Sequence, residues 1–214
     1  MRYPDGRVLI FARLPQPGNT KTRLIPALGV LGAAQLHARM IRDTVERAQA
    51  SGLAPVQLWL DGEADHDTLA SCTAAFAGEL HRQSGDDLGA RMSHALEEAL
   101  KQAAFAVLIG TDCPVLDRAY LERACAWLAA GEPTVFGPAE DGGYVLVGVR
   151  SPAGQLFEDI AWGTASVMAQ TRRRLAALGR AHRELPVLWD VDRPEDLPRL
   201  YALDAGWADA RSLD

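Results

Sequence analysis

The chain is short of cysteine, of basic excess and of long apolar runs, and each shortage removes a class of function. Cys72, Cys113 and Cys125 are an odd number without C-x-x-C spacing. Neither a disulfide framework nor a zinc site is expected, and a reduced, cytoplasmic setting is. Lys and Arg number 22 against 28 Asp and Glu, a net charge of −6. That opposes general nucleic-acid binding, which needs a basic face, but leaves room for a local basic pocket around one small anion. The first apolar stretch is about five residues, short of the roughly 7–15 of a signal peptide, and no run approaches the roughly 18–20 of a membrane span. No membrane partner is expected. Two nucleotide fingerprints are missing too. In "PQPGNTKT" Pro15 and Thr20 stand where a Walker loop needs glycine, and there is no G-x-G-x-x-G.

What is present is an alternation. With 214 residues, 48% of them hydrophobic, the chain suits one domain, with "SPAG" (151–154) its best internal boundary. Apolar runs at 7–12, 56–60, 105–110, 133–138 and 144–149 read as strands, with a weaker one at 79–83 and an extended segment at 183–192. Helical spacing appears at 30–50 (Ala34, Ala38, Ile41, Val45, Ala48), 64–77, 88–103, 117–130 and 164–178, with a last helix after 193. Thr164 is a candidate N-cap and Gly179 a stop. Such alternation predicts an α/β fold with right-handed crossovers and a mostly parallel sheet. Ligands of such sheets bind beyond the carboxyl ends of strands. The segments after the strands, 13–23, 61–65, 83–89, 111–114, 139–143 and 190–192, should therefore converge.

Each segment offers chemistry and a plainer alternative. Arg13, Gly18, Lys21 and Arg23 combine free backbone N–H groups, a point charge and a guanidinium fork, which suits a di- or triphosphate; the alternative is a solvated loop. Asp112, ending a buried strand, suits Mg²⁺ or Mn²⁺; the alternative is a helix cap. Asp190 and Asp192 share one face of an extended segment; alternatively Asp192 caps the helix from Pro194. Asp141, Gly142 and Gly143 form a hairpin turn, though Gly143 also admits a ligand close to backbone, and Tyr144 can stack on a ring. Trp162 precedes a helix N-terminus, where anions bind; it also suits a core. In "QSGDDLGARM", Gln83, Asp87 and Gly89 read as a helix start or as the reader of a base edge. The histidines at 37, 66, 81, 94 and 182 lack metal-binding spacing and read as structural or surface residues.

In order, "FARLPQPGNTKTRL", "GDDLGARM", "GTDCPVL", "GPAEDGGYVLVG", "WGTASV" and "WDVDRPEDL" resemble small bacterial GT-A-like transferases. These are described as nucleotide-diphospho-sugar transferase-like proteins, some linked by name to arsenosugar biosynthesis. The resemblance spans roughly residues 7–200. It implies a three-layer α/β/α Rossmann-like GT-A fold with a mostly parallel mixed sheet, residues 1–150 forming the nucleotide-binding half and 151–214 the acceptor side and metal segment. It implies a metal-dependent glycosyltransferase with a nucleotide-sugar donor and a small-molecule acceptor. Lys21, Arg23 and a Mg²⁺ or Mn²⁺ on Asp112 and Asp190 or Asp192 would hold the diphosphate. The base would lie near Gln83–Gly89, and Asp141, Tyr144 and Trp162 would border the sugar or acceptor, with Asp141 as base or hydroxyl anchor. The wider superfamily includes 2-phospholactate and molybdenum-cofactor guanylyltransferases, so nucleotidyl transfer from an NTP is the alternative, and a non-catalytic nucleotide-binding module the third. Two departures stand out. The glycine-rich loop of the nucleotidyltransferases is only partly matched, and the D-x-D of many GT-A enzymes is replaced by Thr111-Asp112-Cys113-Pro114. The assembly is left open, a homodimer among the options.

Overall fold

The computed structural model describes residues 1–62, 72–73, 76–204 and 207. The apolar runs become strands β1 (Gly6–Arg13), β2 (Val56–Asp61), β4 (Phe105–Gly110), β5 (Thr134–Pro138) and β6 (Tyr144–Val149). Two short strands, β3 (Glu79–Arg82) and β7 (Arg183–Glu184), form the sheet edges. The order is β3-β2-β1-β4-β6-β5-β7. β1 runs parallel to β2 and β4, β2 to β3, and β5 to β7, whereas β6 is antiparallel to both β4 and β5. The reversal has a simple cause. Only five residues, 139–143, separate β5 from β6, and a parallel crossover needs a dozen or more.

The helices are α1 (Ile25–Ala50), α2 (Leu88–Leu100), α3 (Arg118–Ala129), α4 (Val167–Ala177) and α5 (Leu197–Leu203). Central strands covered on both faces lose the polar alternation, and β1 is apolar from Val8 to Ala12. Its even residues, Val8 and Ile10, pack with Ile41 and Val45 of α1 and Leu121 and Cys125 of α3. Its odd residues, Leu9 and Phe11, pack with Met92 and Leu96 of α2 and Met168 and Leu175 of α4. This is the expected three-layer α/β/α architecture. Leu9 and Ile10 have no exposed surface, and burying each contributes roughly 1.5–3 kcal/mol. A third cluster joins Leu24 and Leu36 to Trp189, Val191, Leu197 and Leu200, which draws the segment before α5 back against the loop after β1.

Some expectations shift. The helix expected at 64–77 lies largely outside the described residues. The helix expected from 164 begins at Val167, with Ser166 at the cap position and no side-chain cap. Gly179 does stop it, at φ +60. The segment Thr22–Ala50 is long and apolar enough, by length and composition, to cross a membrane, contrary to the sequence reading. Here Ile41, Val45 and Ala48 are buried against the sheet.

Candidate active site

The carboxyl ends of β1, β2 and β4 and the start of antiparallel β6 meet around a cavity of 490 Å³. This is where the strand order reverses, β1 lying between β2 and β4. Arg13, Arg23, Gln83, Asp112, Asp141, Gly143, Tyr144, Trp162, Asp190 and Asp192 all contribute to its wall. Gly18, Lys21, Asp87 and Gly89 do not.

At the β1–β2 end, Arg91 Nη1 donates to Asp61 Oδ2 at 2.5 Å, and Arg13 Nε lies 3.5 Å from the same oxygen. Gln83 Nε2 donates to the carbonyls of Ala12 (3.1 Å) and Trp59 (3.0 Å), so its side chain spans the ends of both strands.

The first loop is built differently from the expectation of two free cations. Lys21 adopts φ +50, a left-handed conformation, and its side chain is only 5% exposed. Nζ donates to the carbonyl of Val191 at 2.5 Å and lies 2.9 Å from Asp112 Oδ1. Lys21 is therefore a buried strut between loop, β4 and the segment before α5. Arg23 pairs with Asp192. Gly18, at φ +84, serves a turn closed by Thr20 Oγ1, which accepts from Gln16 N at 3.0 Å.

The acidic residues resolve their alternatives. Asp117 caps α3, accepting from Tyr120 N at 2.7 Å, so Asp112 is not that cap. Asp196 accepts from the N–H groups of Asp192 and Arg193, so Asp192 is not the cap of the last helix. Val191 N donates to Asp112 O at 2.9 Å, which brings Asp190 to the β4 end. Burial, then Asp141, then Asp112 push the Asp190 carboxyl up to about 6. Burial raises Asp112, but the opposing pull, led by the charge and hydrogen bond of Lys21, is stronger and holds the carboxyl below its usual value.

On the β6 side, Asp141 Oδ1 accepts from Gly143 N at 2.8 Å, the hairpin geometry. Tyr144 and Trp162 meet edge to face, centroids 6.3 Å apart. Tyr144 Oη and Trp162 Nε1 are buried without a hydrogen-bond partner among the described residues, and burial alone drives the Tyr144 phenol far above its ordinary value. At the N-terminus of α4 two N–H groups are already engaged, Val167 N by Thr164 O at 3.3 Å and Met168 N by Gly142 O at 2.8 Å.

Two nominations are corrected. Asp87 is the N-cap of α2, accepting from Ala90 N at 2.7 Å. Gly89 makes room for the indole, because a Cβ there would sit 2.9 Å from Trp162 Nε1 and 2.8 Å from Phe157 O. Three charged or imidazole side chains on the wall were not singled out from the sequence: Arg91, His37 and Asp61, the last within a segment expected to converge there. Arg91 sits four residues after the Asp87 cap, on the first turn of a helix that starts at the sheet edge. That position was a usable signal. His37, read as structural, is buried on α1 with Nε2 2.8 Å from Arg13 O. His66 lies outside the described residues. Among the described residues, no three His, Cys, Asp or Glu side chains form a group that could hold a metal alone.

Residues 44–164 match DUF2064, a family described as uncharacterized proteins conserved in bacteria. The chain belongs to this family. Over 98% of its length, and 92% of the other chain, it is 30% identical to a Desulfovibrio desulfuricans G20 protein provisionally named a nucleotide-diphospho-sugar transferase, with a TM-score of 0.84. It is 28% identical over 196 residues to the phosphoenolpyruvate guanylyltransferase of Rubrobacter xylanophilus, covering 90% of this chain and 94% of that one. A CMP-2-keto-3-deoxy-manno-octonic acid synthetase solved with CTP shares the fold, with a TM-score of 0.61 at 17% identity over 94% of this chain and 98% of that one.

Proposed function

We propose that this member of DUF2064 is a divalent-metal-dependent transferase that takes a nucleotide-diphospho-sugar and passes the glycosyl group to a small acceptor. One observation carries the reading: Asp112, Asp141 and Asp190 line one cavity, where burial first, and then the neighbouring Asp141 and Asp112, push the Asp190 carboxyl up to about 6. A wall so rich in carboxylate repels phosphate unless a cation intervenes. Asp112 with Asp190 would hold Mg²⁺ or Mn²⁺, which when bound neutralises charge on a leaving nucleoside diphosphate. Arg13, Arg23 and Arg91 supply positive charge on the β1–β2 side, where the nucleotide would lie. Asp141 would accept a hydrogen bond from a sugar or acceptor hydroxyl.

The β6 side favours glycosyl over nucleotidyl transfer. Its wall offers the neutral donors of Tyr144 and Trp162 beside Asp141, and no basic side chain among the described residues. Hydroxyl-bearing sugars suit such a wall, whereas a phosphorylated acceptor would meet carboxylate. The D. desulfuricans relative, by its name, points the same way.

A second reading, guanylyl transfer from GTP to a small acid, is supported by the R. xylanophilus relative. The separate origins of Asp112 and Asp190, from different segments rather than one D-x-D, also support it. Product analysis separates the two. Incubated with Mn²⁺, sugar nucleotides and candidate acceptors, the protein is expected to release nucleoside diphosphate. Pyrophosphate release from an NTP, without turnover of any sugar nucleotide, would replace the first reading with the second.

A further inference from the structure

We infer that His37 is a further ligand of the divalent cation in this cavity, beside Asp112, which makes the site a mixed nitrogen–oxygen one suited to a first-row transition ion such as Mn²⁺ rather than to Mg²⁺. The inference rests on the metal-dependent reading above and adds a residue to it.

The argument starts from the two ring nitrogens. Nε2 lies 2.8 Å from the carbonyl of Arg13. A carbonyl only accepts, so Nε2 carries the hydrogen and Nδ1 presents a bare lone pair. Nδ1 is buried, has no hydrogen-bond partner among the described residues, and belongs to a side chain on the cavity wall that is only 7% exposed. A buried acceptor left unmatched is costly, about 1–3 kcal/mol, unless something arrives to fill it. A ring whose second N–H is fixed on a backbone carbonyl is the arrangement of a metal-bound histidine.

Asp112 stands at the right place to share the ion. Its Oδ1 lies 3.9 Å from His37 Nδ1 and is itself buried, while the carboxylate side chain as a whole is 46% exposed. The second oxygen therefore faces the cavity. Lys21, 2.9 Å from Oδ1, is the cation that balances Asp112 before an ion enters. Asp112, Asp190 and His37 form no closed three-residue group among the described residues, so the phosphate oxygens of the substrate would bring them onto one ion and complete its coordination. Imidazole discriminates among ions, because Mg²⁺ is held by oxygen whereas first-row transition ions also accept nitrogen.

The test uses Mn²⁺ with pyrophosphate, which supplies phosphate oxygens and no nitrogen. Pulsed electron paramagnetic resonance on the full chain should show ¹⁴N coupling from one imidazole. In His37→Gln the coupling should vanish, and calorimetry should show Mn²⁺ affinity reduced about tenfold or more with Mg²⁺ affinity nearly unchanged. Mn²⁺ bound to the wild-type chain without ¹⁴N coupling would overturn the role of His37 and leave the metal reading standing, and that measurement needs no variant. Failure of Mn²⁺ to bind at all, with or without pyrophosphate, would overturn the metal reading and this inference with it.

Discussion

The two ends of the cavity satisfy their polar groups in opposite ways. At the β1–β2 end every described charge on the wall is answered by protein: Arg13 and Arg91 by Asp61, Arg23 by Asp192. At the β6 end Tyr144 Oη and Trp162 Nε1 have no hydrogen-bond partner among the described residues. Ion pairs hold a shape before any ligand arrives, whereas orphaned donors await one. On the proposed reading, the first end is preorganised and the second would be completed by what it binds. Between them lie Asp112 and His37, partly answered by Lys21 and Arg13.

The largest effect expected from breaking this arrangement is at its middle. Asp112→Asn keeps the shape of the β4 end and removes its charge. Turnover of the sugar nucleotide should fall about 10²–10³-fold, as for loss of a preorganised electrostatic contact. Mn²⁺-dependent binding of a nucleoside diphosphate, followed by calorimetry, should weaken in parallel. Intact metal-dependent binding would remove Asp112 from the metal site.

The β6 end should respond more narrowly. Tyr144→Phe deletes one hydroxyl, and Trp162→Phe replaces the indole donor with a smaller ring. Each should weaken a nucleoside diphosphate-glucose about tenfold, the value of one unmatched buried donor, while the bare nucleoside diphosphate binds as before. Equal weakening of both ligands would make the two residues packing elements and erase the contrast between the ends.

How much of this contrast the sequence carried follows from the range of the interactions that make it. The strands were legible because a strand buried on both faces is an unbroken apolar run, as β1 and β4 are. The convergence of Asp112, Asp141 and Asp190 followed from topology, since ligands gather at carboxyl ends. Orientation was not legible. Lys21 looked like a free cation because nothing in "GNTKTRL" reports that Val191, 170 residues away, takes its amine. Asp87 and Gly89 looked like a base reader because a helix cap and a glycine-rich ligand loop use the same residue types. His37 looked structural because no metal-binding spacing surrounds it, and only the fold places Nδ1 beside Asp112.

Asp190 offers a smaller and more quantitative test. Its folded-state carboxyl is raised from 3.8 to about 6. Ionisation therefore costs the native state more than the unfolded chain. Relative to high pH, the group contributes stability that is complete below about pH 4 and lost as pH rises through 6. In metal-free protein Asp190→Asn should raise stability by roughly 1–3 kcal/mol at pH 8, the advantage shrinking to nothing near pH 4. Thermal melts from pH 4 to 8 measure it. Added Mn²⁺ should reverse the order at pH 8, because wild type then uses the charge that the variant lacks. An Asp190→Asn variant no more stable than wild type at pH 8 would mean that neither burial nor the neighbouring carboxylates disfavour the Asp190 charge.

The smallest expected effect separates architecture from recognition at the preorganised end. Asp87 lies beside the wall but caps α2 through Ala90 N. Asp87→Ala should cost about 1 kcal/mol, within the 0.5–2 kcal/mol usual for an N-cap, or a fall in Tm of roughly 2–4 °C for a chain of this size. Asp87→Ser, which can still cap, should restore most of it. Binding of nucleoside diphosphates should be unchanged in both variants, because on this side Gln83, Asp61 and Arg91 line the cavity and Asp87 does not. A change in base preference among UDP, GDP and CDP in Asp87→Ala, absent in Asp87→Ser, would return Asp87 to the nucleotide site. The contrast would then lie between two ends that both depend on ligand for completion.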